Sequence, residues 1–353
     1  MTDQNTRLRH PIFYKSLPKV ELHRHLEGSL RLSTMMEIAR KFELDLPVNH
    51  ADTFRHLVQV HDDEPFTFQN FLSKFDTLRH FYQSPEVIQR VTREAIADAA
   101  ADNIRYMELR FTPVALTRVK GFPMNDAIDW VIEAAQDAAA SYGIAVSLIV
   151  SVNRHESVEL AEEAIRLGIE RREQGVIAVD LAGGEADFPG EEFAPLFTEA
   201  HQAGMRVTIH AGEWGPASRI QLAIEQLHAE RVGHGVRVLE DPDVVALCKE
   251  RGIVFEVCPT SNYQSGVTRH LRDHPLPNMR DAGLKVTINT DDPGISQIDL
   301  SDEYEVAVET LRFNVSQLHA TILEAAHATF LAEPEKQALV SAIDHEFAEK
   351  SKR

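Results

Sequence analysis

Between Val20 and Gly28 the chain reads Val-Glu-Leu-His-Arg-His-Leu-Glu-Gly, which sets His23 and His25 two residues apart. In an extended strand alternate side chains share a face, so both imidazoles point one way and Arg24 the other. Two imidazoles on one face at a strand end can grip a divalent metal. Further stretches carry residues of the same chemical kind: His210-Ala-Gly-Glu213, Gly233-His234-Gly235, Cys258-Pro-Thr-Ser-Asn262 and Asn289-Thr-Asp291-Asp292-Pro293. Such residues serve as metal ligands, proton donors and proton acceptors. Each stretch alone also has an ordinary reading. His-x-His is two polar residues leaving a strand, Gly-His-Gly a loop, and Asp-Asp-Pro a turn. Their weight depends on the elements that position them.

The apolar run before the first motif predicts a strand over Lys19 to His25, closed by Gly28. A long helical excursion follows. Leu30, Met35, Met36, Ile38, Ala39 and Phe42 recur near helical spacing, and Phe68, Phe71, Leu72, Phe75, Leu78 and Phe81 form a second stripe. That stripe reads as a helix's core face, or as a lid lining a pocket. Ser84-Pro85, a cap followed by a first-turn proline, opens a third helix that runs to about Asp102.

Then a rhythm sets in. Strands are predicted over Ile104 to Phe111, Ile144 to Val152, Val176 to Leu181 and Arg206 to His210, then Arg231 to Val236, Ile253 to Val257 and Leu284 to Asn289. Helices are predicted between them over Asp126 to Tyr142, Val158 to Gln174, Glu191 to Ala203, Ala217 to Leu227 and Asp243 to Arg251. Gly143, Gly175, Gly204 and Gly252 supply stop signals. Several strands are continuous apolar runs, as buried parallel strands are. Eight β/α units predict a TIM (β/α)8 barrel with extra helices after strand one. An open doubly wound sheet also alternates, but no glycine-rich phosphate fingerprint follows strand one. The tail from about Asp299 to Lys350 reads as helices packed outside the barrel. No linker or repeat interrupts the chain, so residues 1–353 are expected to form one domain.

In this fold the active site lies at the C-terminal ends of the strands. The motifs fall there, at strands one, five, six, seven and eight, and Asp180-Leu-Ala-Gly183-Gly-Glu185 ends strand four. Closure sets strand eight beside strand one, so His23, His25, His210 and Asp291 can converge on one metal. Three imidazoles and one carboxylate suit a single zinc, with a position left for water. Zinc lowers the pKa of that water to about 7. Glu213 then serves as general acid/base, His234 orients the nucleophile, and Asp292 is free to bind substrate. Cys258 is read as structural, because the set is complete without a thiolate. A binuclear site bridged by a modified lysine is disfavoured, since no lysine lies near Asp180. A metal-stabilised binding module without catalysis has no need of Glu213.

The net charge of −19 argues against nucleic acid or an anionic membrane as partner, and leaves a small-molecule substrate. Two cysteines build no disulfide framework, and residues 1–10 lack the apolar core of a signal peptide. No stretch approaches the length of a membrane span. A cytoplasmic protein is expected. The sequence leaves the oligomeric state open.

Together, His23-Arg-His25-Leu-Glu-Gly28, Asp180-Leu-Ala-Gly183, His210-Ala-Gly-Glu213, Arg231-Val-Gly-His-Gly235, Cys258-Pro-Thr-Ser-Asn262 and Asn289-Thr-Asp-Asp-Pro293 resemble the adenosine deaminase family, in that family's order, from about Lys19 to Pro293. The resemblance implies a zinc-dependent barrel aminohydrolase that converts adenosine, and 2′-deoxyadenosine, to inosine and ammonia in purine salvage. It implies that His23, His25, His210 and Asp291 hold zinc, and that Glu213 protonates a purine ring nitrogen. His234 and Asp291 would position the hydroxide, Asp292 and the Gly183 amide would hold the purine, and His25 would lie near the ribose. One position departs. Glu27 stands where the family usually has an Asp that contacts the ribose 5′-hydroxyl. Glu there is similar to adenine deaminases and aminodeoxyfutalosine deaminases. The Arg-Val-Gly-His-Gly and Asp-Leu-Ala-Gly-Gly-Glu stretches lean toward the adenosine enzymes.

Overall fold

The structure, a computed structural model, describes residues 11–351. The N-terminal stretch Met1 to His10, read above for a signal peptide, lies outside the described residues. Eight strands form one sheet: β1 (Lys19–His25), β2 (Ile104–Phe111), β3 (Ala145–Asn153), β4 (Val176–Ala182), β5 (Arg206–Ala211), β6 (Arg231–His234), β7 (Val254–Val257) and β8 (Lys285–Ile288). They run parallel in the order β1 to β8, and helices occupy the connections. This is the (β/α)8 barrel that the alternation predicts.

The seam between β8 and β1 is closed by few bonds. The Leu22 amide donates to Asn289 Oδ1 at 2.9 Å, so a side-chain amide stands in for a ladder carbonyl. Two residues on, the Asp291 amide donates to the His23 carbonyl and the His25 amide to the Asp291 carbonyl, both at 2.9 Å. The residues that stitch the seam therefore flank, or are, the metal-ligand candidates.

Element ends depart from the sequence reading where backbone geometry changes. The sixth strand stops at His234 rather than Val236, because His234 (φ 59°) and Gly235 (φ 63°) turn into the left-handed region. The eighth ends at Ile288, short of Asn289. The helix expected to reach Gln174 ends at Glu170, and Arg172–Gln174 forms a separate 3-10 turn. The excursion after β1 holds helices over Leu32–Lys41, Phe68–Leu78 and Pro85–Ala101, and also over Ala51–Val58. That last helix buries only Phe54 and Val58, too few positions for a legible stripe. Ser84 caps the helix it was expected to cap, accepting from the Val87 amide.

One large cluster of buried hydrophobic residues extends from Tyr14 to Phe347, so the C-terminal helices share a core with the barrel. The tail also closes the barrel's far end. Arg231, first residue of β6, donates to the Ala328 carbonyl at 2.8 Å and lies 3.6 Å over the Phe330 ring. No helix among the described residues is long and apolar enough to cross a membrane.

Candidate active site

The strand ends bring His23, His25, His210 and Asp291 together. The two histidines of β1 share a face because β1 is extended there. Asp291 reaches them from a left-handed backbone turn (φ 64°) just past β8. Asp291 Oδ1 lies 3.2 Å from His23 Nε2 and 3.3 Å from His25 Nε2, and the Nε2 atoms of His25 and His210 are 3.2 Å apart. Edges of that length put a common centre roughly 2 Å from each atom, the bonding distance of zinc to nitrogen and oxygen. His23 Nε2 is buried and makes no hydrogen bond. The donor set fits a metal ion.

Carboxylates behind the imidazoles fix which nitrogen is free. His23 Nδ1 donates to Glu256 at 2.7 Å, and His210 Nδ1 to Asp180 at 2.9 Å. Both Nε2 lone pairs then face the centre, as a metal requires. Burial drives the His210 imidazole down to about 4, which keeps it neutral. Burial alone would raise the Asp291 carboxyl, but the imidazoles of His23, His25 and His234 packed against it outweigh that effect and hold the group well below its usual range.

One guanidinium joins the two supporting carboxylates. Arg110, on β2, donates to Glu256 at 2.7 Å and to Asp180 at 3.3 Å, and all three side chains are fully buried. Glu256 also accepts from Arg231 Nε at 2.7 Å and Thr208 Oγ1 at 2.9 Å. The barrel interior is thus ionic beneath the site, where apolar side chains are the usual filling. Arg110→Met should leave Glu256 and Asp180 short of a buried cation. Breaking a buried pair in this way typically costs about 3–5 kcal/mol. A shift of the urea midpoint, read with the metal content, checks it.

Glu213 sits three residues past His210, with its backbone turned by Gly212 (φ 69°). Burial, then the nearby charges of Asp291 and Glu185, push its carboxyl well above the usual range, so it carries a proton to donate. Asn262 Nδ2 donates to Glu213 Oε1 at 3.0 Å and lies 3.1 Å from His234 Nδ1. The amide's orientation is set from behind. The Leu276 amide donates to His274 Nδ1, so His274 Nε2–H faces Asn262 Oδ1 at 3.3 Å. Asn262 Nδ2 is then the donor, His234 Nδ1 the acceptor, and the His234 proton is on Nε2. That nitrogen lies 3.6 Å from Glu213 Oε2 and 3.9 Å from Asp291 Oδ2. Burial keeps His234 neutral by lowering its pKa well below the ordinary value.

His25, His210, Glu213, His234 and Asp291 form the floor of a cavity of about 520 Å³. Its walls include Glu27, Gly183, Trp214, Asp292 and the helix Phe68–Leu78, with Phe68, Phe71, Leu72, Phe75 and Leu78 along it. The second stripe therefore does line a pocket, and Phe71 and Leu78 are buried as well. Burial pushes the Glu27 carboxyl up to about 7. Its Oε1 accepts from the Thr112 amide at 2.6 Å, and its Oε2 is buried without a partner. Asp292 Oδ1 is likewise buried and unpartnered, and burial, then the charge of Asp291, holds that carboxyl well above its usual range. Two orphaned buried oxygens on one wall need donors that a polar ligand can bring.

Of the site residues expected from the sequence, His25, Glu27, Gly183, His210, Glu213, His234, Asp291 and Asp292 line the cavity, and His23 lies behind them against Asp291. Sequence reasoning missed Arg110 and Glu256, and it singled out the stretch holding Ser261 and Asn262, and Asp180, without their roles: the Ser261 hydroxyl donates to Asp291 Oδ2 at 2.7 Å, Asn262 to Glu213, and Asp180 backs His210. Glu256 and Arg110 did leave a signal, a charge in the middle of an apolar strand.

A closed barrel with this donor set and a buried acid at its strand ends defines a metal-dependent hydrolase. The family model for adenosine deaminase matches residues 18–346. An adenosine deaminase of Erwinia tasmaniensis is 37% identical over 323 residues, covering 92% of this chain and 97% of its own. The crystal structure of an amidohydrolase from Burkholderia ambifaria with bound Zn has a TM-score of 0.88 at 28% identity, covering 99% of this chain and 96% of that one. An adenine deaminase from Arthrobacter aurescens has a TM-score of 0.86 at 29% identity, over 96% of this chain and 100% of that one. The chain belongs to the adenosine deaminase family. It is a hydrolytic deaminase.

Proposed function

We propose that this enzyme deaminates adenosine and 2′-deoxyadenosine with one zinc held by His23, His25, His210 and Asp291. It acts as a single-domain enzyme on a small purine nucleoside. The observation that carries the reading is a buried Glu213, its carboxyl held well above the usual range, beside three imidazole donors and a carboxylate at a ligand-sized cavity. When bound, zinc lowers the pKa of a water to about 7 and supplies a nucleophile at neutral pH. Glu213 gives its proton to a ring nitrogen, which draws electrons from the amino-bearing carbon. His234 Nε2–H and Asp291 orient the attacking oxygen. As the water oxygen bonds to that carbon and the C–N bond breaks, one of the water's protons restores Glu213 and the other passes to the amino nitrogen, which leaves as ammonia. Asp292 and the Gly183 amide hold the purine, and His25 borders the sugar.

Glu27 decides the sugar end. Its free Oε2 accepts a hydrogen bond from a 5′-hydroxyl, whereas a phosphate there brings two like charges close in a dry site, at a cost of several kcal/mol. Arg79 lines the same cavity with no ion-pair partner among the described residues, and it is the group that would compensate such a phosphate. A second reading, adenine as substrate, is favoured by Glu27 in place of the usual Asp and by the likeness to the Arthrobacter enzyme.

Absorbance assays at pH 8 on adenosine, 2′-deoxyadenosine, adenine, AMP and aminodeoxyfutalosine, in wild type and Glu27→Asp, separate these. Adenosine is expected to lead, with kcat/KM for AMP lower by about 100-fold or more, as expected for several kcal/mol. Tenfold preference for adenine moves the assignment to adenine deaminase. Efficient turnover of AMP shows that Arg79 governs that end. Identical substrate ratios in wild type and Glu27→Asp show that Glu27 does not face the sugar.

A further inference from the structure

Glu185, on the loop after β4, has a fully enclosed carboxylate with no ion-pair partner among the described residues. Instead it gathers backbone. Oε1 accepts from the Gly212 amide at 2.6 Å. Oε2 accepts from the amides of Glu213, Trp214 and Gly215 at 3.0, 2.9 and 3.0 Å. Four successive N–H groups of one loop converge on one side chain. A loop wrapped this tightly around an anion is a backbone nest.

The glycines at its two ends make the wrap feasible. Gly212 takes a left-handed turn, where an added Cβ would lie 2.5 Å from Ile220 Cδ1. A Cβ on Gly215 would lie 2.7 Å from Glu185 Oε1, so the carboxylate fits only against a bare backbone. Charge-assisted bonds from backbone N–H to carboxylate are roughly twice as strong as neutral ones. The second residue of the wrapped loop is Glu213.

We propose that Glu185 is a positioning residue for deamination: its carboxylate pins the backbone of residues 212–215 and thereby fixes where Glu213 presents its carboxyl. This rests on the acid role assigned to Glu213 above. Asn262 holds the carboxyl end of Glu213, and Glu185 holds its root. With both ends fixed, Glu213 Oε2 is left to face His234 and the cavity. Proton transfer is sensitive to small misplacements, so a loosened root lowers turnover before it lowers substrate affinity. The Asp-Leu-Ala-Gly-Gly-Glu motif thereby gains a second role. Gly183 and Glu185 both border the ligand cavity, and the Glu185 carboxylate also holds the loop that carries the acid.

The test compares Glu185→Gln and Glu185→Asp with wild type. Gln has one acceptor oxygen: placed where Oε2 sits, it keeps three bonds in weaker, uncharged form, while its NH2 group meets the Gly212 N–H head-on and the negative charge at the centre of the wrap is lost. Asp keeps the charge on a shorter arm. For Glu185→Gln, kcat is expected to fall by about 100-fold, within the range of general acid catalysis, with KM and product-inosine affinity within about threefold of wild type. Metal content should be unchanged, and Glu185→Asp should recover about tenfold of the loss. Deuterium exchange of the peptide covering residues 211–217 should be fast in Glu185→Gln and slow in wild type. That readout needs no substrate, so it stands even if wild type deaminates none of the purines, an outcome that overturns the function and not the clamp. Unchanged exchange, a kcat above a third of wild type, or a kcat loss that only tracks lost metal would each overturn the proposal.

Discussion

Glu213→Gln is expected to lower kcat by more than the roughly 10²–10⁴-fold usual for a general acid, and to leave the metal content intact. The excess arises because the same proton also activates the carbon under attack. Gln matches Glu in size and can still accept from Asn262 Nδ2, so the hydrogen bond at 3.0 Å survives. It cannot deliver a proton. The four metal-ligand candidates do not include residue 213, so metal analysis should match wild type. Turnover above a tenth of wild type would show that the proton comes from elsewhere. Loss of metal along with activity would show that residue 213 shapes the metal site instead.

His210→Ala should remove most of the bound zinc and abolish turnover. His210 is the ligand candidate furthest from the β1–β8 seam, so no other side chain on β5 can replace it. Its loss also strands Asp180, which then keeps only Arg110 and the Ser151 hydroxyl. Stability should therefore fall as well, by about 1–3 kcal/mol for an unsatisfied buried acceptor. Metal analysis of the purified variant and a urea titration check both parts. Full zinc occupancy with near-normal activity would show that His210 is no ligand.

The pattern of strands and stop glycines was enough to read the barrel, because buried parallel strands and helix ends are written in local composition. The ligand candidates were legible for the same reason: each lies within a few residues of a strand end, where the fold puts chemistry. Boundaries failed where backbone torsion decided them, as at His234, whose left-handed turn no side-chain pattern announces. The supports failed for a different reason. Arg110 serves Asp180 and Glu256, residues on distant strands, and such pairing is a property of the closed barrel alone. Asn262 and His274 likewise act through a chain of hydrogen-bond polarities that spacing does not encode.

The seam has a consequence for the order in which the protein is made. His23 and His25 leave the ribosome early, but the bonds that seat them come from Asn289 and Asp291, near the end of the chain. Joining ends so distant in sequence carries a large loop-closure cost and belongs to the late part of folding. A nascent chain that stops before residue 291 holds three imidazoles and no closing carboxylate, so it lacks the full set that would hold the ion. On the ligand set proposed above, metal capture therefore waits for Asp291 to emerge and for the seam to close. A series of ribosome-stalled chains, with the stall moved past residue 291 by more than the tunnel's length, should show zinc retention switch on in a single step.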